Sequence, residues 1–213
     1  IRLVSEFAHC VSVLWRDKLG QISLAVTTLF WGAGATLQFI VLEWAAIALD
    51  MPLSKAAILQ GVVALGIAVG AVAAARFIPL KGSLNVLKVG VALGLVVPLM
   101  TLVHSEEAAY PLLVLVGLLA GFFVVPMNAL LQHRGHVLMS AGHSIAVQNF
   151  NENLNVLVML GVYALLLHLN LHINWIILGF GSFVAISMVL VIMRHRANQR
   201  QFDSVSLIGE AKH

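Results

Sequence analysis

Residues 141–156 read AGHSIAVQNFNENLNV and open a stretch that is otherwise apolar as far as residue 169. Lipid hydrocarbon can neither hydrogen-bond an amide nor solvate a carboxylate, so polar side chains here have to face protein or a watery cavity. At about 100° per residue, the polar positions cover an arc of about 200° on one helix. The stretch therefore predicts a membrane-spanning helix with one broad polar face, formed by Gln148, Asn149, Asn151, Glu152, Asn153 and Asn155.

The composition of the whole chain supports a membrane protein. Of the 213 residues, 61% are hydrophobic and 10% are charged, whereas soluble domains average about 25% charged residues. The formal net charge is only +3 and gives no sign of nucleic-acid binding. The single cysteine, Cys10, cannot form an intrachain disulfide. Because the chain begins with Ile1 and not with Met, we expect a fragment or a processed product.

Six apolar segments are long enough to cross a bilayer, which takes about 20 residues each. We predict spans over residues 21–49, 56–78, 84–103, 110–132, 144–169 and 173–193. The connections between them are short and hold turn or capping residues, so no soluble domain fits between spans. Pairs of glycines four residues apart predict close helix packing within the chain; these are Gly66 and Gly70, Gly90 and Gly94, and Gly117 and Gly121.

The segment before the first span, residues 1–18, has the periodicity of an amphipathic helix and is not a membrane span. Apolar residues such as Phe7, Val11 and Leu14 recur at helical spacing, with charged residues on the other side. We predict an amphipathic helix that lies on the membrane surface or against cytoplasmic loops, with an ordinary soluble helix packed on one face as the alternative. The predicted domains are thus residues 1–18 as linker helix, 19–196 as transmembrane domain and 197–213 as a partly disordered cytoplasmic tail.

The basic residues predict the orientation of the chain. The connections that follow the first, third and fifth spans hold one lysine, Lys55, together with Asp50, Glu106 and Glu107. Positive residues favour the cytoplasmic side, so both ends of the chain are predicted to be cytoplasmic. The basic residues that lie at the ends and between alternate spans are Arg2, Arg16, Lys18, Arg76, Lys81, Arg134, Arg194, Arg196, Arg200 and Lys212.

Glu152 is the candidate centre of a functional site. It lies about 12 Å along its helix from Ser144, near the middle of the bilayer, where an unpaired carboxylate costs a few kcal/mol or more. A structural polar network is one interpretation, and a cavity lining that contacts substrate or a coupling ion is the one we favour. Polar residues on the first and fourth spans also point inward. The candidate substrate-binding residues are Gln38, Asn128, Gln132, Gln148, Asn149, Glu152 and Asn153.

Three histidines near Glu152 raise the question of a metal site. His133, His136 and His143 are predicted to fall in a loop at the cytoplasmic interface, more than two turns from Glu152. No helical metal-binding pair is present, so we predict neither a metal site nor a cofactor. An intramembrane enzyme that uses His136, His143 and Glu152 is one alternative to a transporter, and a non-transporting scaffold is another.

Three stretches resemble the bacterial lysophospholipid transporters of the major facilitator superfamily: LFWGAGATL at 29–37, GFFVVPMNALLQHRG at 121–135 and AGHSIAVQNFNEN at 141–153. The resemblance implies an all-α membrane protein, a six-transmembrane-helix bundle that forms the C-terminal half of a twelve-helix fold. Residues 1–18 would link this half to the N-terminal six-helix half. In the family pattern, Glu152 stands for the acidic residue of the eleventh helix, and Asn128 and Gln132 for the tenth-helix motif. The chain has Gln38 where a basic residue is common.

The same resemblance implies a function. Family members flip lysophosphatidylethanolamine and lysophosphatidylglycerol from the outer to the inner leaflet of the bacterial inner membrane, and a cytoplasmic acyltransferase then restores the second chain. The expected partners are therefore the lysophospholipid substrate, membrane lipids, the N-terminal half and that acyltransferase, without nucleic acid. Alternating access would rock one half against the other. A different major facilitator, exporting drugs or small metabolites, is the alternative, and the sequence leaves the energy source open.

Overall fold

The computed structural model describes residues 2–209, whose regular structure is entirely helical. Six segments are long and apolar enough to cross a membrane, which confirms the predicted six-helix bundle. Residues 1 and 210–213, including Lys212, lie outside the described part of the chain. The helices are α1 (Arg2–Arg16), α2 (Gly20–Ala48), α3 (Leu53–Phe77), α4 (Leu87–Val96), α5 (Glu106–Leu138), α6 (Ala141–His168) and α7 (Ile173–Gln201).

Three short 3-10 segments complete the helices. Leu80–Val86 and Val97–Leu102 flank α4, so the third span runs continuously over Leu80–Leu102, and Ser204–Gly209 follows α7. The third span therefore begins four residues before the predicted start. The final segment, which we call the C-terminal strap (Ser204–Gly209), buries Ser204 and Ile208, so this part of the expected disordered tail is structured.

Helix α1 packs against the end of the bundle. Its Leu14 is fully buried and joins Leu24 of α2, Leu131 of α5 and Val147 of α6 in one apolar cluster. The Phe7 ring meets the Phe150 ring of α6 edge-on, with centroids 5.3 Å apart. Leu14 of the predicted apolar face is thus buried against three spans, and Phe7 and Val11 are half-buried, whereas Val4 and Trp15 are exposed.

The fourth span is longer than the sequence suggested. Helix α5 begins after Ser105, whose hydroxyl accepts a hydrogen bond from the Ala108 N–H, and it ends at Leu138, six residues beyond the predicted end at Gln132. The assignment of Arg134 to a connection between spans is therefore wrong, because only residues 139–140 separate α5 from α6. The polar run after Gln132 is helical, and its arginine has a partner inside the protein.

That partner is Asp17, in the turn between α1 and α2. The Arg134 guanidinium donates to both carboxylate oxygens, from Nη2 to Oδ2 at 2.6 Å and from Nε to Oδ1 at 3.1 Å. Asp17 Oδ1 also accepts the Leu19 and Gly20 backbone N–H groups at the start of α2. The two side chains are only 2% and 9% exposed, so the pair ties α5 to the α1–α2 turn in a nearly dry environment.

The C-terminal strap closes over the same pair. Arg134 Nη1 donates to the Leu207 carbonyl at 2.8 Å, and the Asn198 amide of α7 donates to the Lys18 carbonyl at 3.3 Å. Both described ends of the chain therefore lie at one end of the bundle, which we call the α1 end.

Glycines set the closest helix contacts, as predicted. A Cβ at Gly66 of α3 would lie 2.5 Å from the Val114 carbonyl oxygen of α5, and one at Gly70 would overlap the Leu118 carbonyl. On the other side of the bundle, a Cβ at Gly94 would lie 2.5 Å from the Ala185 backbone nitrogen of α7. The backbones touch directly at these points, which gives the dispersion contacts that hold helices together where no hydrophobic effect does.

We expect Arg134→Met to destabilise the protein by about 3–5 kcal/mol, because it leaves Asp17 buried without its cation. The midpoint of thermal unfolding in detergent measures the effect. Lys55→Met is the control, since the Lys55–Glu106 pair at 3.5 Å is 58% and 41% exposed, and exposed pairs contribute about 1 kcal/mol or less. Adding Asp17→Asn to Arg134→Met should recover stability. Equal shifts for the two single variants would contradict the assignment.

Gly70→Ala should lower the unfolding midpoint, because the added methyl group meets backbone and overpacking costs about 1–3 kcal/mol. Gly61→Ala on the same helix is the matched control, since a Cβ there meets nothing within 4 Å. Alanine at position 61 should leave the free energy of unfolding unchanged or raise it by up to about 1 kcal/mol. If both variants behave alike, the glycine contacts do not limit the approach of α3 and α5.

Candidate functional site

A hydrogen-bonded polar cluster joins α5 and α6 in the interior of the bundle. Gln148 Nε2 donates to Glu152 Oε1 at 2.8 Å, one turn along α6, and lies 3.2 Å from Asn128 Oδ1 of α5. Glu152 is 9% exposed. The structure thus brings together three of the predicted site residues, Asn128, Gln148 and Glu152.

Helix α2 supplies the third side of this cluster. The Thr27 hydroxyl lies near the Glu152 carboxyl and donates to the Leu24 carbonyl at 3.3 Å, and Asn155 Nδ2 donates to the Thr28 carbonyl at 2.8 Å. The close approach of α6 depends on Gly32, where a Cβ would overlap the Asn155 amide. The amide that hydrogen-bonds Glu152 and the hydroxyl near it are both neutral. A buried carboxylate with such partners favours a cation, a cationic group or a proton to compensate its charge.

The rest of the polar arc of α6 faces other surroundings. Asn149 and Asn153 are exposed, and Asn153 Nδ2 donates back to the Asn149 carbonyl at 2.7 Å. Asn151 is half-buried and its Nδ2 donates to the Val147 carbonyl at 2.8 Å. Gln132, one turn beyond Asn128 on α5, is exposed. The broad face predicted from the sequence is therefore divided between a buried part and a part on the surface of this chain.

Gln38 lies apart from the Glu152 cluster. It lines a cavity between α2, α3, the third span, α5, α7 and Val156 of α6, to which Glu152 itself does not contribute. There the Gln60 Nε2 of α3 donates to the Gln38 carbonyl at 2.8 Å.

The histidines occupy helices, not a loop. His133 and His136 lie in the last turns of α5, and His143 lies in the first turn of α6, where its ring nitrogen Nδ1 is 2.6 Å from the Ser140 hydroxyl. Their predicted position in a connection is wrong because α5 extends to Leu138. Within residues 2–209, no three His, Cys, Asp or Glu side chains gather in a group that could hold a metal ion.

Sequence reasoning missed the α2 side of the cluster. Thr27 and Thr28 form a short polar pair in the otherwise apolar first half of α2, and Gly32 follows one turn later. A polar pair followed by a small residue on a membrane helix is the signal that could have identified the helix facing Asn155.

Several curated proteins are similar in sequence to this chain. The chain is 49% identical over 166 residues to the lysophospholipid transporter LplT of Yersinia enterocolitica, an alignment that covers 78% of this chain and 41% of the relative. It is 40% identical over 188 residues to that of Photorhabdus laumondii, covering 88% of the chain and 47% of the relative. To the lysophospholipid transporter LplT of Escherichia coli O157:H7 it is 41% identical over 189 residues, which cover 88% of this chain and 48% of the relative.

The chain is a homologue of the bacterial lysophospholipid transporters. This confirms the family resemblance, and together with the six spans it makes the chain a multi-pass membrane protein. The chain spans about half of the length of the relatives it matches, between 41% and 48% in the three cases above. No protein-family model and no solved structure matches it.

Gln148→Leu should lower the unfolding midpoint, because it removes the amide that hydrogen-bonds Glu152 and faces Asn128 inside the bundle. Leaving buried polar groups unsatisfied costs about 1–3 kcal/mol. Asn149→Leu, its neighbour on the exposed face of α6, serves as control and should change stability by no more than about 0.5 kcal/mol. A smaller loss for Gln148→Leu than for Asn149→Leu would show that the cluster does not stabilise the bundle.

Proposed function

We propose that this chain is the C-terminal six-helix half of a twelve-helix major facilitator that transports lysophospholipids. Lysophosphatidylethanolamine and lysophosphatidylglycerol would move from the outer to the inner leaflet of the bacterial inner membrane, with both ends of this chain in the cytoplasm. The observation that carries the proposal is identity of 40–49% with proteins named as lysophospholipid transporters, over most of this chain. A cytoplasmic acyltransferase would consume the transported product.

The geometry of the polar cluster supports a role in binding the head group or a coupling cation. Glu152 is buried, and both its hydrogen-bond partner Gln148 and the nearby Thr27 are neutral, so an ammonium group or a cation would supply the missing positive charge. The Thr28 hydroxyl is buried close by without a hydrogen-bond partner among residues 2–209, and this leaves one more polar group for a ligand.

The exposed face of α6 supports a contact with an N-terminal half. In the most apolar 18-residue segment of α6 only 11% is buried, against 44% in the corresponding segment of α5. Asn149 and Asn153 are exposed on this face beside Phe150 and Leu154, which are 51% and 49% exposed. Amides at this depth have to face protein or a watery cavity, not lipid. These two asparagines would therefore line the translocation path where the two halves meet.

Glu152→Gln in the full-length protein should slow the transfer of lysophosphatidylethanolamine between vesicle leaflets by at least about tenfold. Hydrogen bonds to charged groups contribute about 1.5–3 kcal/mol, and about 1.4 kcal/mol corresponds to a factor of ten in rate. The initial rate of transfer of a labelled lysophospholipid, in vesicles that contain the purified protein, measures the effect.

Glu107→Gln is the control for that experiment, because Glu107 is an exposed carboxylate in the first turn of α5, at the opposite end from α1. An unchanged rate for Glu152→Gln would reject the role of the cluster. Wild-type protein that exports a drug or metabolite and leaves lysophospholipids untouched would favour the alternative of a different major facilitator.

A further inference from the structure

A second site lies on the other side of α2 from the polar cluster. It is a cavity of about 340 Å³ between α2, α3, the third span, α5 and α7, with Val156 as its contribution from α6. Along α2 its wall extends from Leu29 to Val41, which corresponds to about 18 Å at about 1.5 Å per residue. The site is therefore long enough for an elongated ligand and is separate from Glu152.

The lining of this cavity is apolar except at one end. Leucine, valine, isoleucine, phenylalanine, alanine and glycine form most of the wall, and among the described residues no Asp, Glu, Lys or Arg contributes to it. Gln38 and Gln60 line the end of the cavity opposite α1, where the Gln60 side-chain amide donates to the Gln38 backbone carbonyl. An ionised head group deep in such a cavity would lose its hydration without a compensating partner. An alkyl chain loses nothing there, and its polar attachment could meet the two amides.

Gly34 shows that the space is free. A Cβ at this position would meet no atom within 4 Å, although Gly34 lines the cavity. Gly32, only two residues earlier, is packed against Asn155. Helix α2 thus has one face that contacts the polar cluster and another that forms the cavity wall. The volume of about 340 Å³ falls at the lower end of the range for small-molecule sites, about 300–1,000 Å³, and suits one chain.

We propose that this cavity holds the single acyl chain of the transported lysophospholipid, with Gln38 and Gln60 at its polar end. The inference rests on the proposed function and adds to it a place for the apolar part of the substrate. In this arrangement the acyl chain lies along Gly90 and Phe123 of the cavity wall, and these residues limit the chain length that fits. The cluster around Glu152, on the other face of α2, would then bind the charged head group or a coupling cation.

Gly34→Leu in the full-length protein tests the proposal. The larger side chain enters the cavity and shortens the space for an acyl chain. Relative to wild type, the ratio of transfer rates for 18-carbon and 12-carbon lysophosphatidylethanolamine should fall about tenfold. The preference between lysophosphatidylethanolamine and lysophosphatidylglycerol of equal chain length should not change.

Gly61→Leu is the matched control, because a Cβ there also meets nothing within 4 Å and Gly61 does not line the cavity. Its chain-length ratio should equal that of wild type. A ratio for Gly34→Leu that equals wild type, or an equal loss for all chain lengths, would overturn the proposal.

A second measurement does not depend on the folding of a variant. Wild-type protein is illuminated with 16-carbon lysophosphatidylethanolamine that carries a diazirine at the end of its chain, and the labelled peptides are identified by mass spectrometry. Label on Leu93, Val116 or Phe123, all in the cavity wall, supports the proposal. Label confined to Trp175 or Phe183, in an apolar groove of about 480 Å³ between α2, α6 and α7, overturns it.

The outcomes separate this inference from the proposed function. If wild-type protein transfers no lysophospholipid of any chain length, the proposed function itself fails. If it transfers them but Gly34→Leu leaves the ratio of rates for long and short chains unchanged, only the acyl-chain site fails. A two-chain phospholipid that copurifies in the cavity and is not displaced by lysophosphatidylethanolamine would likewise overturn the site, because the cavity would then hold a structural lipid.

Discussion

Hydrocarbon offers no hydrogen-bond partners, and this constraint shapes the bundle around α6. A carboxylate and several amides on a membrane helix are tolerable only where the protein or water satisfies them. Helix α2 meets this need with Thr27, with the Thr28 carbonyl and with Gly32, which lets Asn155 come close. Helix α5 adds Asn128. The positions of three helices are therefore tied to the polar residues of one of them.

The same rule operates at the α1 end with a full ion pair. Arg134 and Asp17 are almost dry, and each has further hydrogen bonds: Asp17 accepts from the start of α2, and Arg134 donates to the strap. A buried pair compensates its loss of hydration only when its remaining donors and acceptors are satisfied. The linker helix, the fourth span and the C-terminal strap meet at this point because each contributes a part of that satisfaction.

The features that the sequence predicted are those set by local pattern. Span number follows from apolar length, the polar face of α6 from helical periodicity, and the close contacts of Gly66 and Gly94 from their spacing. The features that were missed depend on contacts distant in sequence. Arg134 looked like an interfacial charge because its partner Asp17 is 117 residues away.

The division of the site has the same origin. Periodicity placed Gln148 and Asn149 on one polar arc, but only the packing of α2 and α5 decides that the first is half-buried and the second exposed. Spacing placed Gln38 inward, but α3, not α6, lies opposite it. A helical wheel assigns directions around one helix, and the identity of the neighbour in each direction is a property of the whole bundle.

The pairing of the helices has a consequence for how the protein is made. The most extensive contacts join α3 with α5, α2 with α6, and α4 with α7, and none of these pairs is consecutive in the chain. During synthesis each helix can enter the bilayer alone, since its backbone is satisfied internally, but its principal partner arrives at least one helix later. The third span also contacts α5, but its face at Gly94 stays uncovered until α7 is complete. A chain that stops before α7 exposes this face to the surveillance of membrane chaperones and proteases.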